Sequence, residues 1–176
     1  RPRFANQAQW EAYAKKLDAF GAYLKAQGIT LAYHHHMGAC CESPADLDTL
    51  MQLTSSNVGL LFDTGHITFA GGNALAELKK HIGRVVHVHC KDVRENVMQK
   101  ARNNDQSFLN SVLDGVFTVP GDGMIDFEPI LATLADHNYS GWLVVEAEQD
   151  PALAPSYEYA KKGFDCLSGL VRKING

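Results

Sequence analysis

Residues 29–38 join an apolar strand pattern to three consecutive histidines, in the order Ile29-Thr30-Leu31-Ala32-Tyr33-His34-His35-His36-Met37-Gly38. The first four residues are typical of a buried strand. Imidazoles at the end of such a strand lose their hydration at a large cost unless they meet a metal or a polar substrate. We therefore expect a ligand-binding site at the carboxyl end of this strand.

Three later apolar runs also end in side chains that bind metals. The runs cover about residues 57–62, 84–89 and 142–145, and their ligand-type residues are Asp63 and His66, His87 and His89, and Glu146 and Glu148. Functional residues of a parallel barrel gather where its strands end. Four strand ends carrying histidine or carboxylate therefore predict one divalent-metal site.

The chain alternates strands with helices. The pattern predicts helices over residues 7–27, from Pro44 onward, and over about 73–81, 107–113, 126–136 and 154–172. Ser43 is expected to cap the second of these helices and Asp126 the fifth. It predicts strands over residues 29–36, 57–62, 84–89, 116–119 and 142–145, with an irregular polar segment over 91–106. Apolar strands alternating with helices indicate an α/β fold with a parallel sheet. Five strands do not close a (β/α)8 barrel of about 250 residues, so the alternatives are an open sheet and the later part of a barrel.

Composition limits the classes of function. The 176 residues are 45% hydrophobic and 20% charged, which predicts one globular domain over residues 1–176. The net charge of −4 without a basic run argues against nucleic acid, and no apolar run approaches the ~20 residues of a membrane span. The four cysteines form no CxxC pair, which favours reduced thiols and a cytoplasmic location.

The predicted ligands follow from strand geometry. Residues two apart on a strand share a face, so His34 and His36 point the same way. A minimal set takes one ligand from each strand, and it consists of His34, Asp63, His89 and Glu146, with His66 as an additional ligand. Mixed imidazole and carboxylate ligands favour Mn, Co, Fe or Zn over Mg or Ca. Two carboxylates neutralise a divalent ion, which remains a useful Lewis acid. His35 points away and is expected to be structural.

Five motifs resemble the inosose dehydratases, which belong to the xylose isomerase-like (β/α)8 barrels. The motifs are Tyr33-His34-His35-His36-Met37-Gly38, Phe62-Asp63-Thr64-Gly65-His66, and residues 87–94, 115–123 and 141–151. The resemblance covers nearly the whole chain. It implies a TIM barrel of which this chain is the C-terminal portion, about the last five strand–helix units. Where most members of the superfamily carry a glutamate ligand, this chain carries His34.

The resemblance also implies an activity. It predicts a lyase of myo-inositol catabolism that dehydrates scyllo-inosose (2-keto-myo-inositol) to 3D-(3,5/4)-trihydroxycyclohexane-1,2-dione through a metal-stabilised enediolate. Mn or Co is the expected metal, with Zn or Fe as alternatives, and the family suggests glutathione as a further cofactor. The partner is a small polyol ketone, with no nucleic acid and no membrane.

Residue roles remain open at this level. The candidates for general acid and base are His36, His87, Lys91 and Glu148. Arg94 and Asp122 are candidates for binding substrate hydroxyls, although a solvated loop and a tight turn explain the same residues. Sequence alone does not rank these candidates.

Two other functions fit the same residues. A ketopolyol isomerase or epimerase would form the same enediolate but return the proton instead of expelling hydroxide. An inactive truncated half-barrel would expose a sheet edge and self-associate as a homo-oligomer. An endonuclease is disfavoured, because the acidic balance leaves no phosphate-binding surface.

Overall fold

The computed structural model describes residues 2–176, which divide into two compact units between Val88 and His89. Both units alternate strands with helices, as expected of an α/β fold. Most element boundaries agree with the sequence prediction to within a few residues. The single domain over residues 1–176 stays a prediction.

The first unit contains three neighbouring strands. Its elements are α1 (Gln7–Ala26), β1 (Leu31–His34), α2 (Pro44–Leu53), β2 (Val58–Asp63), α3 (Thr64–Phe69), α4 (Ala74–His81), a 3-10 turn (Ile82–Arg84) and the first four residues of β3 (Val85–Cys90). The strand order is β1-β2-β3. β1 and β2 are parallel, with Leu31 opposite Val58 and His34 opposite Leu61.

Local sequence explains why the first unit folds around β2. Ser43 caps α2 with a capping box and Pro44 occupies its first turn, as predicted. α2 buries Leu47 and Leu50, and β2 is buried on both faces, as parallel strands usually are. α1 approaches the start of β2 closely, since a Cβ at Gly21 would lie 2.3 Å from the Asn57 carbonyl oxygen.

The second unit begins inside β3. Its elements are the last two residues of β3, β4 (Asp92–Val93), α5 (Glu95–Asn103), α6 (Phe108–Leu113), β5 (Phe117–Thr118), α7 (Phe127–Asp136), β6 (Leu143–Val145) and α8 (Ser156–Asn175). β6 stands beside β3 in the strand order, and Asp126 caps α7, as predicted. No helix within residues 2–176 combines the length and apolarity that a membrane span requires.

Two sequence predictions were wrong. Residues 91–106 are not irregular, because they include β4 and α5. α5 buries only Met98 and Ala101, so its apolar stripe is too narrow to be recognised in a polar sequence. The strand predicted over 116–119 does not run parallel with the others: β5 pairs antiparallel with β4. A two-residue strand has no periodicity that could specify its partner.

Candidate metal centre

His34 and Asp63 form the first pair of ligand-type side chains. They end β1 and β2, and His34 Nε2 lies 3.4 Å from Asp63 Oδ2. The two oxygens of the fully buried Asp63 have different neighbours. Oδ1 accepts the backbone N–H groups of Gly65 and His66, each at 2.9 Å, and so caps α3. Oδ2 faces the imidazole.

His89 and Glu146 form an equivalent pair in the second unit. His89 stands near the end of β3, two residues after the half-buried His87, and Glu146 follows the last residue of β6. His89 Nδ1 lies 3.6 Å from Glu146 Oε2. Within each unit, therefore, one imidazole faces one carboxylate, and the two nitrogen–oxygen distances are nearly equal.

The separations suit ligands of one small ion better than hydrogen bonds. A hydrogen bond between nitrogen and oxygen spans about 2.7–3.2 Å. Two ligands bound about 2.1 Å from a divalent ion at tetrahedral or octahedral angles lie about 3.0–3.4 Å apart. The pair of His34 and Asp63 falls in that second range, and the pair of His89 and Glu146 is slightly wider. The spacing of His34 and Asp63 therefore fits ligands of a divalent metal.

His36 and His66 lie together in the first unit, with ring centroids 3.8 Å apart. His36 Nδ1 lies 2.6 Å from the Met37 carbonyl, which can only accept, so this nitrogen carries a proton. The Met37 N–H donates to His66 Nδ1 at 3.4 Å, so a neutral His66 carries its proton on Nε2. The neutral pair therefore has one proton-accepting Nε2, on His36, and one donating Nε2, on His66.

Lys91 is completely buried, unlike most lysines. Its ammonium lies 2.7 Å from Glu146 Oε2, 2.9 Å from Glu148 Oε2, and 4.7 Å from the centroid of the Phe117 ring. Two carboxylates and an aromatic face stabilise the charged form of the amine. Lys91 is thus placed as a buried cation between two acidic residues.

Arg94 and Asp122 are brought together by the second unit. Arg94 donates to Asp122 Oδ2 at 2.7 Å, and the Thr118 hydroxyl donates to the same oxygen at 2.6 Å. Lys162 contacts Oδ1. Burial acts to raise the pKa of Asp122, but the hydrogen bonds from Lys162, Thr118 and Arg94 outweigh it and hold that pKa below its ordinary value. Asp122 is therefore an ion-pair centre, and substrate binding by it and Arg94 stays a prediction.

Asp92 has a role that sequence reasoning missed. Its buried carboxylate accepts four backbone N–H groups, those of Val93, Gly121, Gly123 and Ile125, at 2.8–3.2 Å. The carboxylate thereby holds the glycine turn that carries Asp122. Burial raises the pKa of Asp92, and the four donors oppose that shift. Only the repeated glycines at 121 and 123 hinted that this loop needs an anchor.

His35 is fully buried, as its predicted structural role requires. Its Nε2 accepts the backbone N–H of Asp63 at 3.2 Å, so its proton stands on Nδ1. Burial lowers the pKa of His35 to about 4, against the smaller opposing effect of the Asp63 carboxylate.

The low pKa of His35 predicts acid sensitivity. In the unfolded chain the imidazole titrates near 6.5, so the unfolded state binds the extra proton between pH 6.5 and about 4. The contribution of neutral His35 to the free energy of unfolding is therefore fully present above pH 6.5. It falls by roughly 3 kcal/mol as the pH drops to 4. Urea unfolding followed by circular dichroism at several pH values measures the loss. His35→Gln, which cannot titrate, should remove that part of the slope, and an unchanged slope would contradict the assignment.

Asp48, Glu77 and His81 form another group of ligand-type side chains, on α2 and α4, with one atom of each within 4.8 Å of the others. His81 Nε2 lies 3.0 Å from Asp48 Oδ1, and the Lys80 ammonium contacts Oδ2. The carboxylate thus already has two basic partners. This group is an ion-pair network that ties α4 to α2.

Comparison with known proteins identifies the family. Residues 2–170 match the family model described as the xylose isomerase-like TIM barrel. The chain belongs to that family. This membership confirms the fold class predicted from the five motifs and from strand–helix alternation.

About half of the aligned residues of this chain are identical in two curated relatives. The rhizopine catabolism protein MocC of Rhizobium meliloti is 51% identical over 97% of this chain and 52% of its own length. An inosose dehydratase of Clostridium perfringens is 50% identical over 89% of this chain and 53% of its own length. The chain therefore spans about half the length of these relatives. The resemblance to inosose dehydratases is confirmed.

A solved structure shares the fold. The crystal structure of an IolI protein with a bound zinc atom superposes with a TM-score of 0.68 over 94% of this chain and 57% of its own, at 18% identity. At that identity the likeness supports the fold alone.

Proposed function

We propose that this xylose isomerase-like chain carries the catalytic residues of a metal-dependent inosose dehydratase, a lyase that acts on a small polyol ketone. The observation that carries the proposal is the 50% identity to an inosose dehydratase over 89% of the chain. The paired imidazoles and carboxylates support it, because dehydration next to a ketone benefits from a Lewis acid. The proposed substrate is scyllo-inosose, and the product is 3D-(3,5/4)-trihydroxycyclohexane-1,2-dione.

The proposed metal ligands are His34 and Asp63 in the first unit and His89 and Glu146 in the second. The support is the spacing of 3.4 Å and 3.6 Å within the two pairs. A divalent ion bound by these residues would supply Lewis acidity toward the ketone oxygen. Imidazole and carboxylate ligands favour Mn or Co, with Zn or Fe as alternatives.

His36 and His66 are the proposed proton-transfer residues. His36 Nε2 accepts the proton from the carbon beside the ketone, and the electron pair of that C–H bond forms a carbon–carbon double bond. The hydroxyl on the next carbon departs with its bonding electrons and takes a proton from His66 Nε2, so water leaves. The resulting enol rearranges to the dione, and exchange with solvent restores both imidazoles. His66 thus serves as a donor instead of the additional ligand predicted from sequence.

The remaining candidates receive supporting roles in this proposal. Lys91 is assigned to ordering Glu146 and Glu148, which its side-chain nitrogen contacts at 2.7 Å and 2.9 Å, instead of acting as the base. The ion pair between Arg94 and Asp122 stiffens the loop at the end of β5. In this proposal Arg94 also binds substrate hydroxyls. His87, half-buried on the same strand as His89, stays a predicted candidate for acid or base.

A product assay tests the proposal. The purified chain, loaded with Mn²⁺ or Co²⁺ and tested with and without glutathione, is incubated with scyllo-inosose. We expect an ultraviolet-absorbing enolised dione that is lighter than the substrate by one water. The Clostridium perfringens inosose dehydratase serves as the positive control. An active control beside an inactive chain would show that this chain does not dehydrate inosose.

The same assay in heavy water separates dehydration from isomerisation or epimerisation. A dehydratase releases water and gives the dione. An isomerase or epimerase would place deuterium on carbon without loss of water. If the product is deuterated polyol ketone and no dione forms, the chain is an isomerase or epimerase and the dehydratase proposal is wrong.

A further inference from the structure

The backbone ladder between β1 and β2 stops just before the proposed ligand Asp63. The last paired residues are His34 and Leu61, so β2 continues for two residues beyond that pair. Asp63 is the second of them, and its N–H donates to the imidazole of His35 at 3.2 Å. The side chain of the residue that follows β1 thus bonds to β2 beyond the last residues paired in the ladder between these two strands.

His35 is suited to hold this contact rigidly. Its side chain is fully buried, and its ring packs 5.8 Å from the ring of Phe62. It is covalently next to His34 and hydrogen-bonded to Asp63, so it touches the backbone of both strand ends. A displacement of either strand end would break the hydrogen bond and leave a buried N–H without an acceptor.

We propose that His35 is a positioning residue that sets the distance between His34 and Asp63. This inference rests on the proposed function, in which those two residues bind the metal. His35 binds neither metal nor substrate. It fixes the Asp63 backbone, and the fixed backbone directs Oδ2 toward His34 Nε2 at 3.4 Å. Residues that orient metal ligands typically change metal affinity by about 10–100-fold when they are replaced.

Paired substitutions distinguish positioning from packing. His35→Phe keeps a ring of similar size but removes the acceptor for the Asp63 N–H. His35→Gln loses the ring but keeps an acceptor at the end of its side chain. We expect the Phe variant to bind Co²⁺ about 10–100-fold more weakly and the Gln variant to recover most of that loss. Isothermal titration calorimetry gives the affinities, and the visible spectrum of bound Co²⁺ reports the ligand geometry.

Leu50→Ala is the matched control for general destabilisation. Leu50 is fully buried in α2 of the same unit, and its truncation should lower the urea midpoint of unfolding without touching the strand ends. Its affinity for Co²⁺ should stay close to that of the unsubstituted chain. Equal weakening in Leu50→Ala and His35→Phe would overturn the positioning role.

The outcomes separate the inference from the proposed function. Tight Co²⁺ binding by both the unsubstituted chain and the Phe variant overturns the role of His35 and leaves the dehydratase proposal standing. No Co²⁺ binding by the unsubstituted chain overturns the metal site, and the inference with it. If the Phe variant does not fold, hydrogen exchange of the Asp63 amide in the unsubstituted chain tests whether its N–H is bonded to His35. Slow exchange supports the hydrogen bond, and exchange as fast as in an unfolded peptide overturns it.

Discussion

Replacing His89 by alanine should abolish turnover and strongly weaken metal binding. His89 Nδ1 faces Glu146 Oε2 at 3.6 Å, and the substitution removes one of two proposed ligands in that unit. We expect metal affinity to fall by more than about 100-fold, beyond the loss that follows removal of a supporting residue. Turnover of scyllo-inosose should fall by at least about 1,000-fold, because Lewis-acid stabilisation amounts to several kcal/mol.

Two measurements check the His89→Ala prediction. Calorimetric titration with Mn²⁺ gives the affinity, and the dione assay gives the turnover. His137→Ala is the matched control, since His137 lies in an exposed position at the end of α7. The control should behave like the unsubstituted chain. An unchanged Mn²⁺ affinity in His89→Ala would remove His89 from the proposed ligand set.

Asp92→Asn should produce a large loss of stability. Each Asp92 oxygen accepts two backbone N–H groups, those of Val93 and Ile125 on one side and of Gly121 and Gly123 on the other. An asparagine turns an NH₂ group toward one of these pairs, so two buried donors lose their acceptor. Each orphaned donor costs about 1–3 kcal/mol, and removal of a buried charge offsets part of it, so we expect a net loss of about 2–4 kcal/mol.

Urea unfolding measures the stability loss, and hydrogen exchange locates it. Amide exchange should accelerate in Asp92→Asn either at Gly121 and Gly123 or at Val93 and Ile125, because one of these pairs loses its acceptor. Asp165→Asn is the control: it makes the same chemical change in an exposed ion pair with Lys161 on α8. Exposed pairs of this kind contribute about 0.3–0.5 kcal/mol. Equal losses in both variants would contradict the anchoring role of Asp92.

Local patterns in the sequence were sufficient for the fold class and for the ends of most elements. Ser43 and Asp126 were recognised as helix caps because capping depends on residues within one turn of each other. The buried strands β1 and β2 were recognised by apolar runs followed by ligand-type residues. α5 was missed because only two of its residues are buried, and local polarity outweighed them.

The sequence prediction grouped four ligand-type residues by a topological rule, since parallel strands bring their carboxyl ends to one edge. These residues are His34, Asp63, His89 and Glu146. The same rule did not rank the acid–base candidates. The tautomers of His36 and His66 are set by the Met37 backbone, whose carbonyl contacts His36 Nδ1 and whose N–H donates to His66 Nδ1. A backbone group has the same chemistry in every residue, so no sequence pattern marks it.

By itself the sequence determined the α/β alternation, the family and the ligand-type residues at the strand ends, because these depend on period and on short motifs. Only the tertiary structure decided that Asp92 anchors a loop 31 residues away and that Lys91 meets a carboxylate 57 residues away. It also decided that Asp122 is enclosed by basic partners. Such roles arise because burial forces each polar group to find a partner, and the fold determines which distant partner lies within hydrogen-bonding distance.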